Sequence, residues 1–461
     1  MKRKSIIAIL LAILFVTSAT MVSAEDEDYP IYIVQPGDSL TGIALQFGVD
    51  IDELIAINNI IDPSALPIGA ELILPGLEGI TGVLTTINLE AGENLHSLSI
   101  KSEVIPEALM QINKLSSPTE LYYNANIIIP LSEEKEADYF NPITVWTSSS
   151  TLLEEAVRTN NTEWSIANTN QVENTWSFLP NVVLYEKTAS SLQALISPTI
   201  ANITISPDEI FQGNVVTIKV TTIGDNKPTG TYNERPLSFF QSEENTFTAL
   251  QGISAMHDVG LDELQIATEL DRSETFRFEQ HLLTFETFYP SESISVDPIT
   301  LDAETQKQED ARIAEVVSKI TKEKYWNEPF LCVVDQPTCV RSWYGTNRNY
   351  NDGLYYSYHS GIDYGVCATL NIYAPADGVV VFTDSLTIRG NATYIDHGHG
   401  VFSAFFHQSE IWVEEGDLIK AGDIIGQIGT TGRSTGGHLH YDLVINGEQV
   451  DPLLWLPADC R

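Results

Sequence analysis

Residues 438–445, His-Leu-His-Tyr-Asp-Leu-Val-Ile, constrain the fold of this chain more than any other stretch. Polar and apolar residues alternate through them, and β-branched and aromatic side chains are frequent, which predicts a β-strand. Because successive side chains of a strand point to opposite faces, His438 and His440 leave the same face. Two imidazoles on one face can share one site, so we expect a histidine site on a sheet.

A second pair of candidate site residues lies upstream, and its spacing requires a bent backbone. His359 and Asp363 are four residues apart, and a straight strand would separate their Cα atoms by about 13 Å. That is too far for both side chains to reach one metal ion through bonds of about 2 Å. Gly361 permits a bend between them, and the poor helix formers around it favour a kinked strand over a helix.

Together with His407, these residues supply the ligand types of a hydrolytic zinc ion. Such an ion binds imidazole nitrogens and a carboxylate oxygen and keeps one coordination position open for water. The sequence therefore predicts a zinc hydrolase. Spacing alone does not decide whether His438 or His440 is the ligand.

Five motifs between residues 330 and 456 resemble those of the lysostaphin/LytM-type zinc endopeptidases, which cut the peptide cross-links of bacterial peptidoglycan. The motifs occupy residues 358–363, 374–380, 395–400, 416–426 and 431–440. Their order and spacing are kept, which is far more specific than a single His-x-His. The resemblance implies a mainly antiparallel β peptidase domain at residues 326–461, with its site in an open groove.

The same resemblance assigns roles to the five side chains. It implies that His359, Asp363 and His440 hold one Zn²⁺ ion per catalytic domain. It implies that His407 and His438 are catalytic and flank the attacking water, one accepting its proton and the other stabilising the oxyanion.

Other interpretations of this region stay open. A degenerate domain of this family could bind the cell wall without catalysis and activate a partner amidase, although such proteins usually lose some of the five residues. An active enzyme could also be autoinhibited by an upstream segment that fills the groove or supplies a fourth zinc ligand. The second His-x-His, His397 and His399, is flanked by glycines and is typical of a turn between strands, so we expect both residues in a loop near the groove that does not ligate the metal.

The amino-terminal residues predict that the protein is exported. Lys2, Arg3 and Lys4 precede the apolar run 6–16, and Val-Ser-Ala at 22–24 is a small-residue cleavage pattern, so residues 1–24 are expected to be a secretory signal. The apolar run is shorter than the roughly 20 residues that a spanning helix needs, although a retained anchor stays an alternative. We expect an extracytoplasmic protein, secreted or associated with the cell envelope, with no stable membrane span after cleavage.

A repeat follows the signal. Residues 30–76 strongly resemble LysM modules, βααβ units that bind N-acetylglucosamine-containing glycans such as peptidoglycan. A shift of 55 positions superposes five residues of this segment on Gly92, Leu95, Leu109, Asn113 and Pro130, which predicts a degenerate second copy at 82–131. Residues 143–188, with Leu152, Ile166 and Asn170 at the same spacing, are a third candidate. The alternative for each copy is a packing unit without a ligand. The resemblance gives these glycan-binding candidates in the first copy: Gly37, Asp38, Ser39, Leu40, Thr41, Pro63, Ser64, Ala65 and Leu66.

The middle of the chain has a different sequence pattern from the repeat. Short β-type runs separated by Gly, Asp, Asn and Pro predict an immunoglobulin-like β-sandwich at residues 195–298. Apolar residues at helical spacing predict a helical linker at 299–325. The chain as a whole is therefore expected to be multidomain, with α+β and all-β parts.

Charge and cysteine content agree with an envelope protein. The chain has 63 acidic and 24 basic residues and a formal net charge of −39, which argues against nucleic acid as a partner. Peptidoglycan, its glycan strands and cross-linking peptides, is the expected partner, and the oligomeric state is not predicted. Four cysteines in an exported protein favour two disulfides. The short turn between Cys332 and Cys339 favours that pair, which leaves Cys367 with Cys460; a cysteine zinc site is the alternative.

Overall fold

The computed structural model describes residues 29–77, 80–131, 139–146, 151–172, 174, 178, 181–188, 195–224, 226–270, 275–326 and 329–460. The predicted signal segment 1–24 lies outside the described residues. The chain divides into two compact units, one made of Met1–Leu84 with Pro130–Glu133 and the other of Thr85–Ile129 with Glu134–Arg461. No helix in the described part of the chain is both long enough and apolar enough to cross a membrane.

The first unit contains a strand–helix–helix–strand segment. Its elements are β1 (Ile31–Ile33), α1 (Leu40–Phe47), α2 (Ile51–Ile57) and β2 (Glu71–Ile73). Strands β1 and β2 are antiparallel. The Ser39 side chain accepts a hydrogen bond from the Gly42 amide and so caps α1, as residues with a short hydroxyl side chain commonly do. Leu40, Leu54 and Leu72 are buried and form part of the small core.

Two further segments repeat this order of elements. The second runs through β3 (Val83–Asn88), α3 (Leu95–Ser102), α4 (Pro106–Ile112) and β4 (Asn126–Leu131). The third runs through β5 (Tyr139–Val145), α5 (Leu152–Arg158), α6 (Glu163–Thr169) and β6 (Val183–Thr188), with β5 and β6 antiparallel. The region that carried only a trace of the repeat in sequence therefore has the same succession of elements.

Each of the three segments has an asparagine that makes the same hydrogen bonds. The Asn58 side chain donates to the Leu54 carbonyl at 2.9 Å and the Ile73 carbonyl at 2.8 Å, and it accepts from the Ile73 amide at 2.7 Å. Asn113 and Asn170 make the same three bonds between the second helix and the closing strand of their own segments. The 55-residue shift thus superposes positions that join helix to strand.

Residues 200–285 form two facing β-sheets. Their strands are β7 (Ile200–Ser206), β8 (Ile210–Phe211), β9 (Val215–Thr222), β10 (Thr229–Tyr232), β11 (Arg235–Pro236), β12 (Phe240–Glu243), β13 (Thr246–Gly252), β14 (Gly260–Glu269) and β15 (Thr275–Phe285). One sheet has the order β11–β10–β14–β15–β8 and the other β12–β13–β9–β7. Buried side chains of both sheets, including Ile218 and Ile266, belong to one hydrophobic core, which explains the alternating burial along β14.

The segment between these sheets and the carboxy-terminal region contains β16 (Ser291–Ile294), a helical turn at Pro298–Leu301 and α7 (Ala303–Val317). The predicted linker is helical over this turn and α7. Ile313 and Val317 of this helix are buried together with Phe382, Phe406 and other residues of the carboxy-terminal sheet. The apolar stripe read from the sequence therefore packs on that sheet.

The carboxy-terminal region is built almost entirely of strands. They are β17 (Val340–Ser342), β18 (Asn347–Tyr350), β19 (Tyr355–Tyr358), β20 (Ile362–Gly365), β21 (Asn371–Tyr373), β22 (Gly378–Leu386), β23 (Gly390–Gly398), β24 (Val401–Gln408), β25 (Glu410–Ile411), β26 (Leu418–Ile419), β27 (Ile424–Gln427), β28 (His438–Ile445) and β29 (Glu448–Val450). The largest sheet has the order β17–β20–β28–β24–β23–β22–β26, and all of its pairs are antiparallel. Three-stranded sheets β16–β18–β19 and β21–β27–β25 accompany it.

The four cysteines form two disulfides, but the expected pairing was wrong. Cys332 is bonded to Cys460 and Cys339 to Cys367, with Cα–Cα distances of 5.3 and 6.2 Å. The reason is strand register: β17 pairs with β20, and the Gly365 amide donates to the Cys339 carbonyl at 2.7 Å. This brings Cys339 beside the segment that leads to Cys367, and it leaves Cys332 for the buried carboxy-terminal turn.

Candidate metal centre and active site

Strand β28 presents the central histidines of the site. His438, His440 and Asp442 are alternate residues of this strand and all are buried, so their side chains leave one face as predicted. Strand β20 pairs with β28 in a register that sets Asp363 opposite His440. A carboxylate and an imidazole therefore meet on adjacent strands.

The strand is interrupted between His359 and Asp363, as the sequence predicts. Strand β19 ends at Tyr358 and β20 begins at Ile362. Gly361 is required there for a reason that spacing did not reveal. A Cβ atom on it would lie 2.2 Å from the Tyr441 carbonyl oxygen and 2.3 Å from an Asp442 carboxylate oxygen. The backbone at residue 361 can lie this close to β28 only if that residue has no side chain.

Three ligand-type atoms converge where these strands meet. The distances from His359 Nε2 to Asp363 Oδ1, from His359 Nε2 to His440 Nδ1 and from His440 Nδ1 to Asp363 Oδ1 are all 2.9 Å. A tetrahedral zinc ion with bonds of about 2.0–2.1 Å would hold its ligands about 3.3 Å apart. The triangle is thus close to the size such an ion requires.

The partners of the outer imidazole nitrogens make this triangle suitable for a cation. His359 Nδ1 donates to the Trp343 carbonyl at 2.8 Å, and His440 Nε2 donates to Asp442 Oδ1 at 2.6 Å. In neutral imidazoles the inner nitrogens then carry lone pairs. Two lone pairs and a carboxylate oxygen at 2.9 Å from one another repel unless a proton or a metal ion lies among them. The donor set therefore fits a metal ion, with its histidines oriented by outer hydrogen bonds.

Arg348 holds the other oxygen of the candidate ligand Asp363. Its Nη2 donates to Asp363 Oδ2 at 2.7 Å, and its Nε donates to Glu292 Oε1 at 2.7 Å. Glu292 belongs to β16, which precedes the peptidase-like segment in sequence and pairs with β18. Asp363 is therefore left with Oδ1 directed at the two histidines.

His407 reaches the site through an unusual backbone conformation. It has φ of 62° near the end of β24, in the left-handed region that costs most residues about 1–3 kcal/mol. In a regular strand Phe406 and His407 would face opposite sides, yet both line the same cavity. His407 Nδ1 donates to the Thr431 carbonyl at 2.7 Å. Its Nε2 is left as the acceptor in the neutral ring.

His438 has a similar arrangement. Its Nδ1 donates to the Gly436 carbonyl at 2.7 Å, its Nε2 lies 3.7 Å from Asp363 Oδ1, and its ring centroid is 4.8 Å from that of His407. Two imidazoles with acceptor nitrogens thus lie beside the triangle without being part of it. The geometry therefore places His440, and not His438, in the triangle of ligand-type atoms. The spacing in the sequence left this choice open.

Electrostatics separates the two groups of histidines. Burial, followed by the neighbouring His438 and His440, holds the pKa of His407 well below its usual range, and burial also lowers the pKa of His438. Burial opposes charge on His440 as well, but the carboxylates of Asp442 and Asp363 outweigh it and raise the pKa of His440 to about 9. Burial favours the neutral form of Asp363, yet His359 and His440 hold its pKa well below its usual value. His407 and His438 are therefore uncharged at neutral pH.

These groups line a cavity of about 350 Å³ that α7 helps to enclose. Gln306, Asp310, Ile313, Ala314 and Val317 of the helix face the cavity. The Glu309 carboxylate of the same helix accepts from the Ile388 amide at 2.8 Å. The groove expected to be open is therefore bordered by α7 on this side, and autoinhibition by an upstream segment stays a prediction.

Sequence reasoning missed several residues of the site. Asp442 could have been found, because it continues the alternation His438–His440–Asp442 on one strand face. Arg348 and Trp343 could not, because only strand pairing brings them to the ligands. His397 was expected in a loop but lies buried within β23, where its Nδ1 donates to the Asp377 carbonyl at 2.7 Å. His399 follows the strand in a turn.

The glycan-binding candidates occupy two loops of the first segment. The Asp38 carboxylate accepts from Tyr32 Oη at 2.8 Å and from the Gln35 amide at 2.7 Å, so it shapes its own turn. Leu40 is buried in the core and offers no side-chain surface. Gly37, Ser39 and Thr41 are exposed, as are Pro63, Ser64 and Ala65, and Leu66 is partly exposed. Their glycan contacts stay a prediction, and all four cysteines are disulfide-bonded, which leaves no thiolate for the alternative zinc site.

The chain matches known families in two places. Residues 357–452 match the family model described as Peptidase family M23, and residues 32–75 match that of the LysM domain. Over 95 residues the chain is 43% identical to the DD-carboxypeptidase/endopeptidase Mpg of Neisseria meningitidis serogroup B, and over 95 residues it is 38% identical to the peptidoglycan DD-endopeptidase ShyA of Vibrio cholerae. Each match covers 21% of this chain and 22% of the relative.

Among solved structures, the catalytic domain of the prophage-encoded M23 protein EnpA from Enterococcus faecalis is 32% identical, with a TM-score of 0.22, over 28% of this chain and 92% of that chain. Both resemblances read from the sequence motifs are confirmed by the family matches. The chain therefore contains a LysM domain in its amino-terminal part and a peptidase domain of family M23 in its carboxy-terminal part.

Proposed function

We propose that this protein is a secreted, peptidoglycan-binding zinc metalloendopeptidase that hydrolyses peptide cross-links of the bacterial cell wall. The convergence of His359 Nε2, Asp363 Oδ1 and His440 Nδ1 at mutual distances of 2.9 Å carries the proposal. The names of the relatives Mpg and ShyA, both endopeptidases, support the reaction class. ShyA is named for peptidoglycan, which supports the substrate.

One zinc ion is proposed for this site, held by His359, Asp363 and His440. When bound, zinc supplies Lewis-acid activation of a water molecule and of the scissile carbonyl. The chain's own contribution is to fix the ligands in advance. The Trp343 carbonyl and the Asp442 carboxylate orient the two imidazoles, and Arg348 leaves one oxygen of Asp363 for the ion.

His407 and His438 are proposed to move the proton and stabilise charge. Both donate Nδ1–H to a backbone carbonyl, so both direct a basic Nε2 toward the site. Their lowered pKa values keep them neutral and able to accept a proton at neutral pH. We propose that one accepts the proton of the attacking water and that the other, once protonated, stabilises the developing oxyanion.

The amino-terminal LysM domain is proposed to bind glycan strands through the loops at 37–41 and 63–66. Tethering by this domain would raise the local concentration of cross-links at the catalytic domain without altering the chemistry. The second and third strand–helix–helix–strand segments, 82–131 and 143–188, are proposed as further LysM-like modules. The shared asparagine contacts support a common fold for the three.

The remaining parts are proposed to position the catalytic domain outside the cytoplasm. The two-sheet region at 195–298 would be an immunoglobulin-like spacer, followed by a helical connection at 299–325. Residues 1–24 would direct export to the cell envelope. A non-catalytic wall protein that activates a partner amidase is the alternative, and the presence of all five site residues in one cavity favours catalysis.

Digestion of purified sacculi tests this function. We expect zinc-loaded protein to release new amino groups, and mass spectrometry of the muropeptides to identify the cleaved bond. His440→Ala should abolish the release while its circular dichroism spectrum stays that of the parent. Stoichiometric zinc without any release of amino groups would favour the amidase-activating alternative.

A further inference from the structure

Arg433 lines the catalytic cavity, but none of the catalytic roles proposed above involves it. It belongs to the loop between β27 and β28 and lines the same cavity as the five site residues. Its guanidinium carbon lies 4.9 Å from the ring centroid of Tyr350 and 5.9 Å from that of Tyr355. Cation–π contact with two aromatic rings helps to hold the guanidinium in this position.

The guanidinium has no carboxylate partner among the described residues, and its Nη1 is buried without any hydrogen-bond acceptor. Other charged groups of the cavity are already paired. The pairs are Asp363 with Arg348, Asp442 with His440, and Asp310 with Arg389. Arg433 is thus a surplus positive charge, and a buried N–H without an acceptor is unfavourable until a ligand supplies one.

The loop that carries Arg433 is fixed before any ligand binds. The Arg433 amide donates to the Ile388 carbonyl at 2.8 Å. A Cβ on Gly432 would lie 2.4 Å from the Gly390 amide nitrogen, so the two loops pack backbone to backbone. Thr431, two residues before Arg433, supplies the carbonyl that orients His407. Arg433 therefore has a set position relative to the proposed proton acceptor.

We propose that Arg433 binds a free carboxylate of the peptide substrate and so selects substrates that carry one near the cleaved bond. The planar fork of an arginine matches a carboxylate with two parallel hydrogen bonds. The carboxylate is either the carboxy terminus of a peptide stem or an acidic side chain. The inference deepens the proposed peptidase function and rests on it.

Three synthetic cross-linked peptide dimers separate these sources. One keeps all carboxylates free, one has an amidated carboxy terminus, and one has an amidated acidic side chain. For the zinc-loaded full-length protein we expect one of the two amidations to lower kcat/KM by about 10- to 100-fold, the range for a hydrogen-bonded charge pair. In Arg433→Gln, kcat/KM for the free acid should fall by the same factor, and its preference for acid over amide should vanish.

Arg389→Gln is the matched control, because this arginine lines the same cavity but already has acidic partners. Whatever its rate, it should keep the parental ratio of acid to amide. Arg433→Lys, which retains the charge without the planar fork, should show an intermediate ratio, and it serves as the test if Arg433→Gln fails to fold. A ratio in Arg433→Gln equal to the parental one, or a parent insensitive to both amidations, would overturn the inference. If the parent cleaves none of the dimers, the proposed peptidase function fails first.

Discussion

Replacement of Asp442 by asparagine tests how the structure prepares the metal ligands. Asp442 Oδ1 accepts the Nε2 proton of His440 at 2.6 Å, and Asp442 is buried. The carboxylate keeps the inner nitrogen of His440 free for a metal ion and increases its basicity. The asparagine side chain has nearly the same shape as the aspartate it replaces but no charge. We therefore expect weaker zinc binding without a change of fold.

The expected loss depends on pH in a way that the structure specifies. Mutation of an outer hydrogen-bond partner costs about 10- to 100-fold in metal affinity, or about 1.4–2.7 kcal/mol. Most of this loss should appear near pH 9, because the pKa of His440 is raised to about 9 and only about half of the His440 rings carry a proton at that pH. At pH 7 the parent must remove that proton before binding, at about 2.7 kcal/mol for two pKa units. The variant lacks the carboxylate that raises this pKa, so the difference between the two proteins should narrow as pH falls.

Competition with a chromophoric chelator across pH 7 to 9 measures these affinities. Asp396→Asn is the matched control, because Asp396 is a buried aspartate of the same domain that accepts from the Gly398 amide and lies outside the site. It should bind zinc like the parent. Equal affinities of the Asp442→Asn variant and the parent at pH 9, or a difference that widens toward pH 7, would refute the reasoning.

Three further changes address the fold around the site. Gly361→Ala would bring a Cβ within 2.2 Å of the Tyr441 carbonyl, so urea unfolding should show a loss of about 1–3 kcal/mol; an unchanged midpoint would contradict the close approach. The two disulfides close loops of 128 and 28 residues. Replacing Cys332 and Cys460 by serines should therefore lower the free energy of unfolding by about 4.9 kcal/mol, and replacing Cys339 and Cys367 by about 3.6 kcal/mol. The opposite order of melting temperatures would count against this pairing. Glu309→Ala should weaken the docking of α7 by about 1–3 kcal/mol and raise kcat/KM on soluble muropeptides, whereas a lower rate at full zinc content would mean that the helix forms part of the substrate groove.

The parts of the site that depend on local backbone geometry could be predicted from the sequence. Alternation in β28 gives the shared face of His438 and His440, and the four-residue spacing of His359 and Asp363 requires the break at Gly361. Both are properties of one strand or one bend. The repeat could be predicted for a similar reason, because its asparagine joins a helix to the strand that follows it.

Features that depend on contacts distant in sequence were missed. The disulfide pairing follows from the register of β17 against β20, whereas a short intervening turn suggested a different partner for Cys339. Arg348 reaches Asp363 because β18 pairs with β16 and β19, and no motif marks it. The periodicity of α7 predicted a helix with an apolar stripe, but it could not specify that residues of this stripe line the cavity of the candidate site.

The metal content and ligand shell of the purified protein test the central claim most directly. We expect one zinc per chain in the parent and in the control His399→Ala, with X-ray absorption showing nitrogen and oxygen ligands at about 2.0–2.1 Å. His440→Ala should lose the ion and remain folded. Stoichiometric zinc in His440→Ala, or sulfur in the ligand shell of the parent, would contradict a centre built from His359, Asp363 and His440.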